Sequence, residues 1–196
     1  MTLKKYEDKN NIKLNKLDKF NAYYKQGISI DHIKIDDLIS LGLLNLEELK
    51  KQKVFAIIRE PIERFISMCN DLKKSPKDLI SCIKHLYELN EQNQCKYDDY
   101  HHRKNWVSTQ KSFLTNKHNI KINYFLYENL DKIDKYCTEN FNKKYINNKK
   151  NVSKKIYNKT SLDNNDLEFI NNFYKEDFEL YKSLKYIYIN NLVPIN

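Results

Sequence analysis

The chain has 196 residues, which is enough for one domain with a real hydrophobic core, and its formal net charge is +9. Only three of its 35 basic residues are arginines, and the lysines are scattered rather than gathered in one run. This scatter argues against nucleic-acid binding as the main function, although the charge would attract an anionic ligand. The sequence has neither an N-terminal hydrophobic signal nor a run of about eighteen apolar residues, which predicts a cytoplasmic protein without a membrane segment.

Hydrophobic spacing predicts a helix-rich α/β chain that forms a single domain over residues 1–196. In chain order, the predicted helices lie near residues 13–26, 45–52, 61–74, 76–91, 104–118, 129–141 and 163–183, and the predicted strands near 54–58 and 122–127. Asn45, Ser75 and Ser161 each stand where a helix N-cap is expected. The Lys- and Asn-rich stretch 142–159 predicts a surface loop.

The stretch 54–72, VFAIIREPIERFISMCNDL, is the most informative part of the chain. Its first five residues form a continuous apolar run, which is typical of a parallel strand buried on both faces. Pro61 suits the first turn of a helix, because the N–H group that proline lacks would have no partner there. The strand, turn and helix put Arg59 at the carboxyl end of the strand, where open α/β sheets bind ligands.

Two of the three arginines, Arg59 and Arg64, lie in this stretch. A guanidinium group holds phosphate oxygens in pairs, whereas a lysine offers only a point charge. The clustering of arginine in a lysine-rich chain therefore indicates a phosphate site. The residues alone leave a second interpretation open, in which the arginines pair with Glu60 and Glu63 on the surface of a strand–helix unit.

The segment REPIERFIS resembles the 3′-phosphate-binding motif of sulfotransferases that use 3′-phosphoadenosine 5′-phosphosulfate (PAPS). It is most similar to the carbohydrate group that includes the heparan uronyl 2-O-sulfotransferases. Arg59, Pro61, Arg64 and Ser67 match the motif in type and spacing, whereas Cys69 stands where the motif often has tyrosine. The resemblance implies a P-loop-NTPase-like fold with a small parallel sheet flanked by helices. It also implies that Arg59 and Ser67 hold the donor's 3′-phosphate and that Arg64 anchors the motif helix.

Weaker similarities follow the motif in the order that the family has. The segment WVSTQ at 106–110 resembles a helix that carries a glutamine, and INYFLYENL at 122–130 resembles the second parallel strand with its Glu-bearing loop. The segment 167–181 resembles the closing helix, in which Tyr174 and Asp177 form an aromatic-x-x-Asp pattern. Order and spacing, rather than any one of these segments, support the resemblance.

The resemblance also assigns the chemistry. The segment 150–155 is similar to a basic loop near the nucleotide, which implies that Lys154 and Lys155 bind the donor. His32 precedes the first strand, as the catalytic histidine of the 2-O-sulfotransferases does, and is the candidate base for the acceptor hydroxyl. Asp31 replaces the glycine that precedes this histidine in the family, and an exposed bystander is the alternative interpretation of His32. Sulfuryl transfer needs PAPS as donor and no metal.

One element of the family has no counterpart in the sequence. These enzymes open with a loop of the type Pro-Lys-x-Gly/Ala-Ser/Thr-Ser/Thr, whose N–H groups and lysine cradle the 5′-phosphosulfate. Nothing between Met1 and Ser29 matches this loop. We therefore expect a chain that begins downstream of the loop, has replaced it, or has abandoned catalysis.

Three functional hypotheses follow. The first is PAPS-dependent transfer of sulfate to a hydroxyl group, with a carbohydrate as the expected acceptor. The second is a catalytically inactive relative that binds a 3′-phosphonucleotide or a sulfated ligand, and the third is a basic nucleic-acid-associated protein. The cysteines have no metal-ligand spacing, which favours reduced core residues; they are Cys69, Cys82, Cys95 and Cys137. His101 and His102 could contact a sulfated sugar, although exposure in a polar loop is the simpler interpretation.

Overall fold

The computed structural model describes residues 34–40, 42–91, 106–142 and 155–189. The chain divides into two compact units. The first comprises Met1–Lys53, His85–Ser108 and Ser112–Lys121, and the second comprises Val54–Lys84, Thr109–Lys111 and Ile122–Asn196. The arginine motif lies within the second unit, and the single domain over residues 1–196 stays a prediction.

Two short helices lie in the described part of the first unit. Helix α1 spans Ile35–Ser40 and was not predicted, whereas α2 spans Leu46–Lys50 inside a predicted helix. The predicted cap at Asn45 is confirmed, because its Oδ1 accepts backbone hydrogen bonds of 2.9 Å and 3.1 Å from the second and third residues after it. Gly42 joins the two helices with a positive φ of 68°, which costs glycine little.

Two parallel strands form the sheet of the second unit. Strand β1 spans Val54–Ile58 and β2 spans Ile122–Leu126. The register pairs the first residue of β1 with the first of β2 and the last with the last. Both predicted strands are confirmed, and the described chain is a helix-rich α/β structure with a small parallel sheet.

Helices follow both strands. After β1 come α3 (Pro61–Leu72), α4 (Pro76–Glu91) and α5 (Gln110–Leu114); after β2 come a 3₁₀ turn (Tyr127–Asn129), α6 (Leu130–Phe141), a second 3₁₀ turn (Lys159–Ser161), α7 (Asn164–Phe173) and α8 (Lys175–Ile189). Pro61 occupies the first turn of α3 as predicted. Ser75 caps α4, since its hydroxyl accepts a hydrogen bond of 3.2 Å from the backbone N–H of Asp78.

Apolar side chains cover the sheet on both faces. On one face, a buried cluster of strand and α6 residues is surrounded by partly buried ones; together they are Phe55, Ile57, Phe125, Leu130, Ile133, Tyr136 and Cys137. Because side chains alternate along a strand, Ile58 and Leu126 point to the other face, where each is only 1% exposed. This double burial explains why both strands are nearly continuous apolar runs.

The helix predicted over 104–118 is shorter than expected. Within the described residues it is interrupted at Ser108 and Thr109 and ends at Leu114. The side chain of Asn116 ends it, since Asn116 Oδ1 accepts a hydrogen bond of 2.8 Å from the N–H group of Ile120 and holds a turn there. The helix predicted over 13–26 lies outside the described residues.

The helix predicted over 163–183 is broken at Tyr174 into α7 and α8. The N-cap predicted at Ser161 is wrong, because Asp163 caps α7. The Asp163 carboxylate accepts a hydrogen bond of 2.9 Å from the N–H group of Asp166, and the Asp166 carboxylate accepts one of 3.1 Å in return. This reciprocal pair satisfies two backbone donors, whereas the Ser161 hydroxyl serves the preceding turn by accepting from Asn158 N–H.

Candidate functional site

The backbone of Arg59 is clamped where β1 ends. Its N–H group donates to Gln110 Oε1 at 2.9 Å, and Gln110 Nε2 donates back to the Arg59 carbonyl at 2.8 Å. These two bonds satisfy the backbone beyond the last strand residue and fix the direction in which the side chain leaves it. Arg59 therefore lies at the carboxyl end of β1, as the sequence predicted.

The side chain of Arg59 lies over an aromatic ring. Its guanidinium carbon is 4.9 Å from the ring centre of Tyr127, a residue that is 47% exposed. Arg59 Nε is buried and has no hydrogen-bond partner among the described residues, and within those ranges the side chain forms no ion pair. A buried charged donor without a partner is costly. A bound anion would give this buried donor of Arg59 a hydrogen-bond acceptor.

Arg64 has a structural partner instead. Its Nη1 is 3.9 Å from Oδ2 of Asp177, whose side chain is fully buried, and its guanidinium lies 5.6 Å from the ring centre of Tyr174. These contacts join α3 to α8 and to the break before it, as expected of the anchoring arginine. The surface pairing of both arginines with Glu60 and Glu63 is not found among the described residues.

Asp177 connects the two arginines. Its carboxylate accepts backbone hydrogen bonds of 2.8 Å from Gln110 and 2.7 Å from the residue after it. Burial raises the pKa of Asp177, while these two N–H groups and Arg64 oppose that rise. Because Gln110 also clamps Arg59, one partly buried network supports both motif arginines. The weak sequence similarities singled out Gln110 and Asp177, and both lie in this network.

Ser67 lies on the same face of α3 as Asn70, Glu63 and the N-cap residue Glu60, which are three, four and seven positions away from it. Ser67 is half-buried and about 9 Å along the helix axis from Pro61. Its hydroxyl makes no side-chain hydrogen bond to another residue in the described ranges.

The segment 155–159 runs along this face of α3. At one end Asn70 Oδ1 accepts hydrogen bonds of 2.7 Å and 2.8 Å from the N–H groups of Ile156 and Tyr157. At the other end Lys159 Nζ is 3.2 Å from a carboxylate oxygen of Glu63. The two contacts therefore lie on either side of Ser67 along α3.

Lys155 is exposed and begins this segment. The described part of the second unit thus contains three of the five predicted site residues, namely Arg59, Ser67 and Lys155. The other two, His32 and Lys154, lie outside the described residues, as do His101, His102 and Cys95.

The sequence did not single out three side chains that complete this region: Tyr127, Asn70 and Lys159. Tyr127 precedes the glutamate of the YENL segment, so its position at the end of β2 was the available signal. Asn70 gave a weaker signal, as an asparagine in a helix interior, where other residues are more favourable. Lys159 was one lysine among many.

A comparison of the chain with protein-family models, with curated proteins and with solved structures finds no match. Within the described ranges, no helix is both long and apolar enough to cross a membrane. The same ranges contain no group of three His, Cys, Asp or Glu side chains that could hold a metal ion.

Proposed function

We propose that the chain binds the 3′-phosphate of a phosphoadenosine nucleotide, with Arg59 as the main ligand. One observation carries this proposal: the Arg59 guanidinium lies at the end of a parallel strand and stacks on Tyr127, and its buried Nε lacks a partner among the described residues. Phosphate oxygens accept hydrogen bonds from two guanidinium nitrogens at once. Arg64, the other motif arginine, already faces a buried carboxylate.

Two further residues support a site for a phosphate. Ser67 offers a hydroxyl donor that has no other partner in the described part of the chain, and Lys155 begins the basic segment that lies on the same face of α3. The sulfotransferase resemblance implies these two residues and Arg59 for the donor, together with Lys154, which lies outside the described residues. The contacts of Gln110 and Asp177 with the motif add weight, since the same resemblance selected them from distant parts of the sequence.

The leading function is sulfuryl transfer from PAPS to a hydroxyl group, with a carbohydrate as acceptor, in a P-loop-like sulfotransferase fold. Bound PAPS would supply the sulfuryl group. Arg59 and Lys155 would neutralise the 3′-phosphate and fix the nucleotide, and the Ser67 hydroxyl would donate to a phosphate oxygen. His32 is the proposed base, which would take the proton from the acceptor hydroxyl.

The second candidate is a binding module that holds a 3′-phosphonucleotide or a sulfated ligand without transfer. It needs only a phosphate site, whereas transfer also needs a loop for the 5′-phosphosulfate, which residues 1–29 do not match. Both candidates share the site at Arg59. Transfer of labelled sulfate from PAPS to a panel of sugars separates them, and His32→Ala should lower any transfer without changing nucleotide affinity.

Calorimetry tests the shared site. The wild-type chain should bind 3′-phosphoadenosine 5′-phosphate (the 3′,5′-bisphosphate) more tightly than adenosine 5′-phosphate. Arg59→Lys should remove about 1.5–3 kcal/mol of the bisphosphate's binding free energy, because the fork of donors is lost while the charge stays. Because both changes remove the same contact, Arg59→Lys should weaken the binding of adenosine 5′-phosphate, which lacks the 3′-phosphate, by much less than it weakens the binding of the bisphosphate.

The control for charge is a pair of variants. Arg59→Gln and Lys135→Gln each remove one positive charge, and Lys135 is exposed and paired only with Glu139 among the described residues, on its own helix. Only Arg59→Gln should weaken bisphosphate binding strongly. Equal affinity of the wild-type chain for the two nucleotides would overturn the proposed 3′-phosphate site.

A further inference from the structure

The side chain of Asn70 is saturated with hydrogen bonds. Its Oδ1 accepts from the N–H groups of Ile156 and Tyr157 at 2.7 Å and 2.8 Å, and its Nδ2 donates to the carbonyls of Ile66 and Tyr157, each at 3.0 Å. A primary amide has two donor hydrogens and two acceptor lone pairs, so this arrangement uses all of them. Asn70 is only 7% exposed, and such a fully paired buried amide specifies one position for the segment it holds.

This pairing is directed at the segment rather than at the helix. Three of the four bonds go to Ile156 and Tyr157, which are 86 and 87 residues away from Asn70 in sequence. Asparagine is less favourable than alanine in a helix interior. The benefit of Asn70 to the molecule therefore lies in docking the segment that Lys155 begins.

The docking point is close to the proposed phosphate ligands. Asn70 follows Ser67 by three residues, about 4.5 Å along the axis of α3, and the two side chains are neighbours on the helix surface. Lys159 lies 3.2 Å from Glu63, on the opposite side of Ser67 along the same face. The segment 155–159 thus contacts α3 on both sides of Ser67, at Asn70 through backbone N–H groups and at Glu63 through the side chain of Lys159.

We propose that Asn70 is a positioning residue that holds Lys155 beside the 3′-phosphate, an inference that rests on the function proposed above. Lys155 is exposed, and the residue after it is fixed through its N–H group. A fixed attachment point lowers the entropy that a lysine must lose when it binds an anion. Asn70 should therefore control how strongly Lys155 contributes to recognition of the 3′-phosphate.

The test is a double-mutant cycle read out as nucleotide selectivity. Selectivity is the ratio of the affinities for the 3′,5′-bisphosphate and for adenosine 5′-phosphate, and it reports only the contacts to the 3′-phosphate. Lys155→Ala should lower this ratio about tenfold, and Asn70→Ala should lower it several-fold. The double variant should lower it no further than Lys155→Ala, because Asn70 acts through Lys155.

Asn123→Ala is the matched control. Asn123 also donates two side-chain hydrogen bonds, each of 3.1 Å, to the carbonyl of Val54 and the hydroxyl of Tyr136, but none of them reaches the segment. This variant should lose stability without a change in selectivity. A loss of selectivity in Asn123→Ala equal to that in Asn70→Ala would reduce the role of Asn70 to general stability.

Ile156→Pro covers the case in which Asn70→Ala does not fold. Proline at 156 removes the N–H group that donates a hydrogen bond to Asn70 Oδ1. Ile156 is 51% exposed, and the substitution leaves the sequence of α3 unchanged. It should reduce selectivity as Asn70→Ala does. If the wild-type chain discriminates the two nucleotides and these variants keep its full selectivity, the proposed role of Asn70 is overturned, but the proposed function is not. A wild-type chain that does not discriminate them would overturn the proposed function as well.

Discussion

Replacing Asp177 by asparagine should destabilise the chain, because Asp177 supports both motif arginines from a fully buried position. The carboxylate has an oxygen for each of two backbone N–H groups, at 2.7 Å and 2.8 Å, whereas asparagine has one oxygen and turns an NH₂ group toward the other donor. The charge facing Arg64 also disappears. We expect a loss of about 2–4 kcal/mol in the free energy of unfolding, a large share of the ~5–15 kcal/mol typical of a domain.

Urea unfolding followed by circular dichroism at pH 7 measures this loss. Asp71→Asn is the control, since Asp71 is exposed on α3, and it should change stability by no more than about 0.5 kcal/mol. A loss from Asp177→Asn no larger than that of the control would refute the assignment of Asp177 as the support of the motif.

The pH dependence of the same comparison tests the electrostatics of Asp177. Burial raises its pKa above the ordinary value of 3.8, so the folded chain binds this proton more tightly than the unfolded chain does. The stability contributed by the proton is complete below that value and is lost as the pH rises through the raised pKa. Asparagine does not titrate, so the advantage of the wild type over Asp177→Asn should shrink as the pH rises. An advantage that grows with pH would show that Arg64 and the N–H donors outweigh burial.

Three other outcomes are expected. Burial raises the pKa of the Cys69 thiol from 9.0 to about 12, so the thiol stays protonated at pH 8. Alkylation at that pH, mapped by mass spectrometry, should therefore modify Cys69 only after the chain unfolds. Rapid labelling of Cys69 in the folded chain would contradict this. The backbone N–H group of Asp166, followed by Lys77, lowers the pKa of Asp163 below 3.8. The stability difference between the wild type and Lys77→Met should therefore be present at neutral pH and disappear as the pH falls below that value. A difference that persists at pH 2 would point to packing instead. Gln110→Ala should lower the free energy of unfolding by about 1–3 kcal/mol and speed hydrogen exchange of the Arg59 backbone amide. Unchanged exchange would argue against the role of Gln110 in holding the Arg59 backbone.

The parts of the fold that follow from short-range patterns could be predicted from the sequence. The apolar runs of β1 and β2 are each bounded by polar residues, and both formed strands at the expected positions. Pro61 and Asn45 marked helix starts through local backbone chemistry, which does not depend on the rest of the fold. The position of Arg59 at the carboxyl end of β1 therefore follows from the sequence without any tertiary contact.

Features set by distant contacts could not be predicted from the residues alone. Arg59 and Arg64 look equivalent as phosphate ligands, and they differ because Asp177, far away in sequence, faces only Arg64 in an ion pair. The cap of α7 was predicted at Ser161 and lies at Asp163, since both are favourable cap residues two positions apart and the sequence pattern does not separate them.

The parallel pairing of β1 with β2 also bears on how the chain folds. Residues 59–121 all lie between the two strands, so their pairing must close a long loop, and the conformational entropy of that loop opposes the step. The helices that follow β1 need only neighbouring residues and can form earlier. We expect sheet formation to be slow and late, so that two apolar strands stay unpaired in the meantime and can associate between chains. The yield of refolded protein should accordingly fall as the protein concentration during refolding is raised.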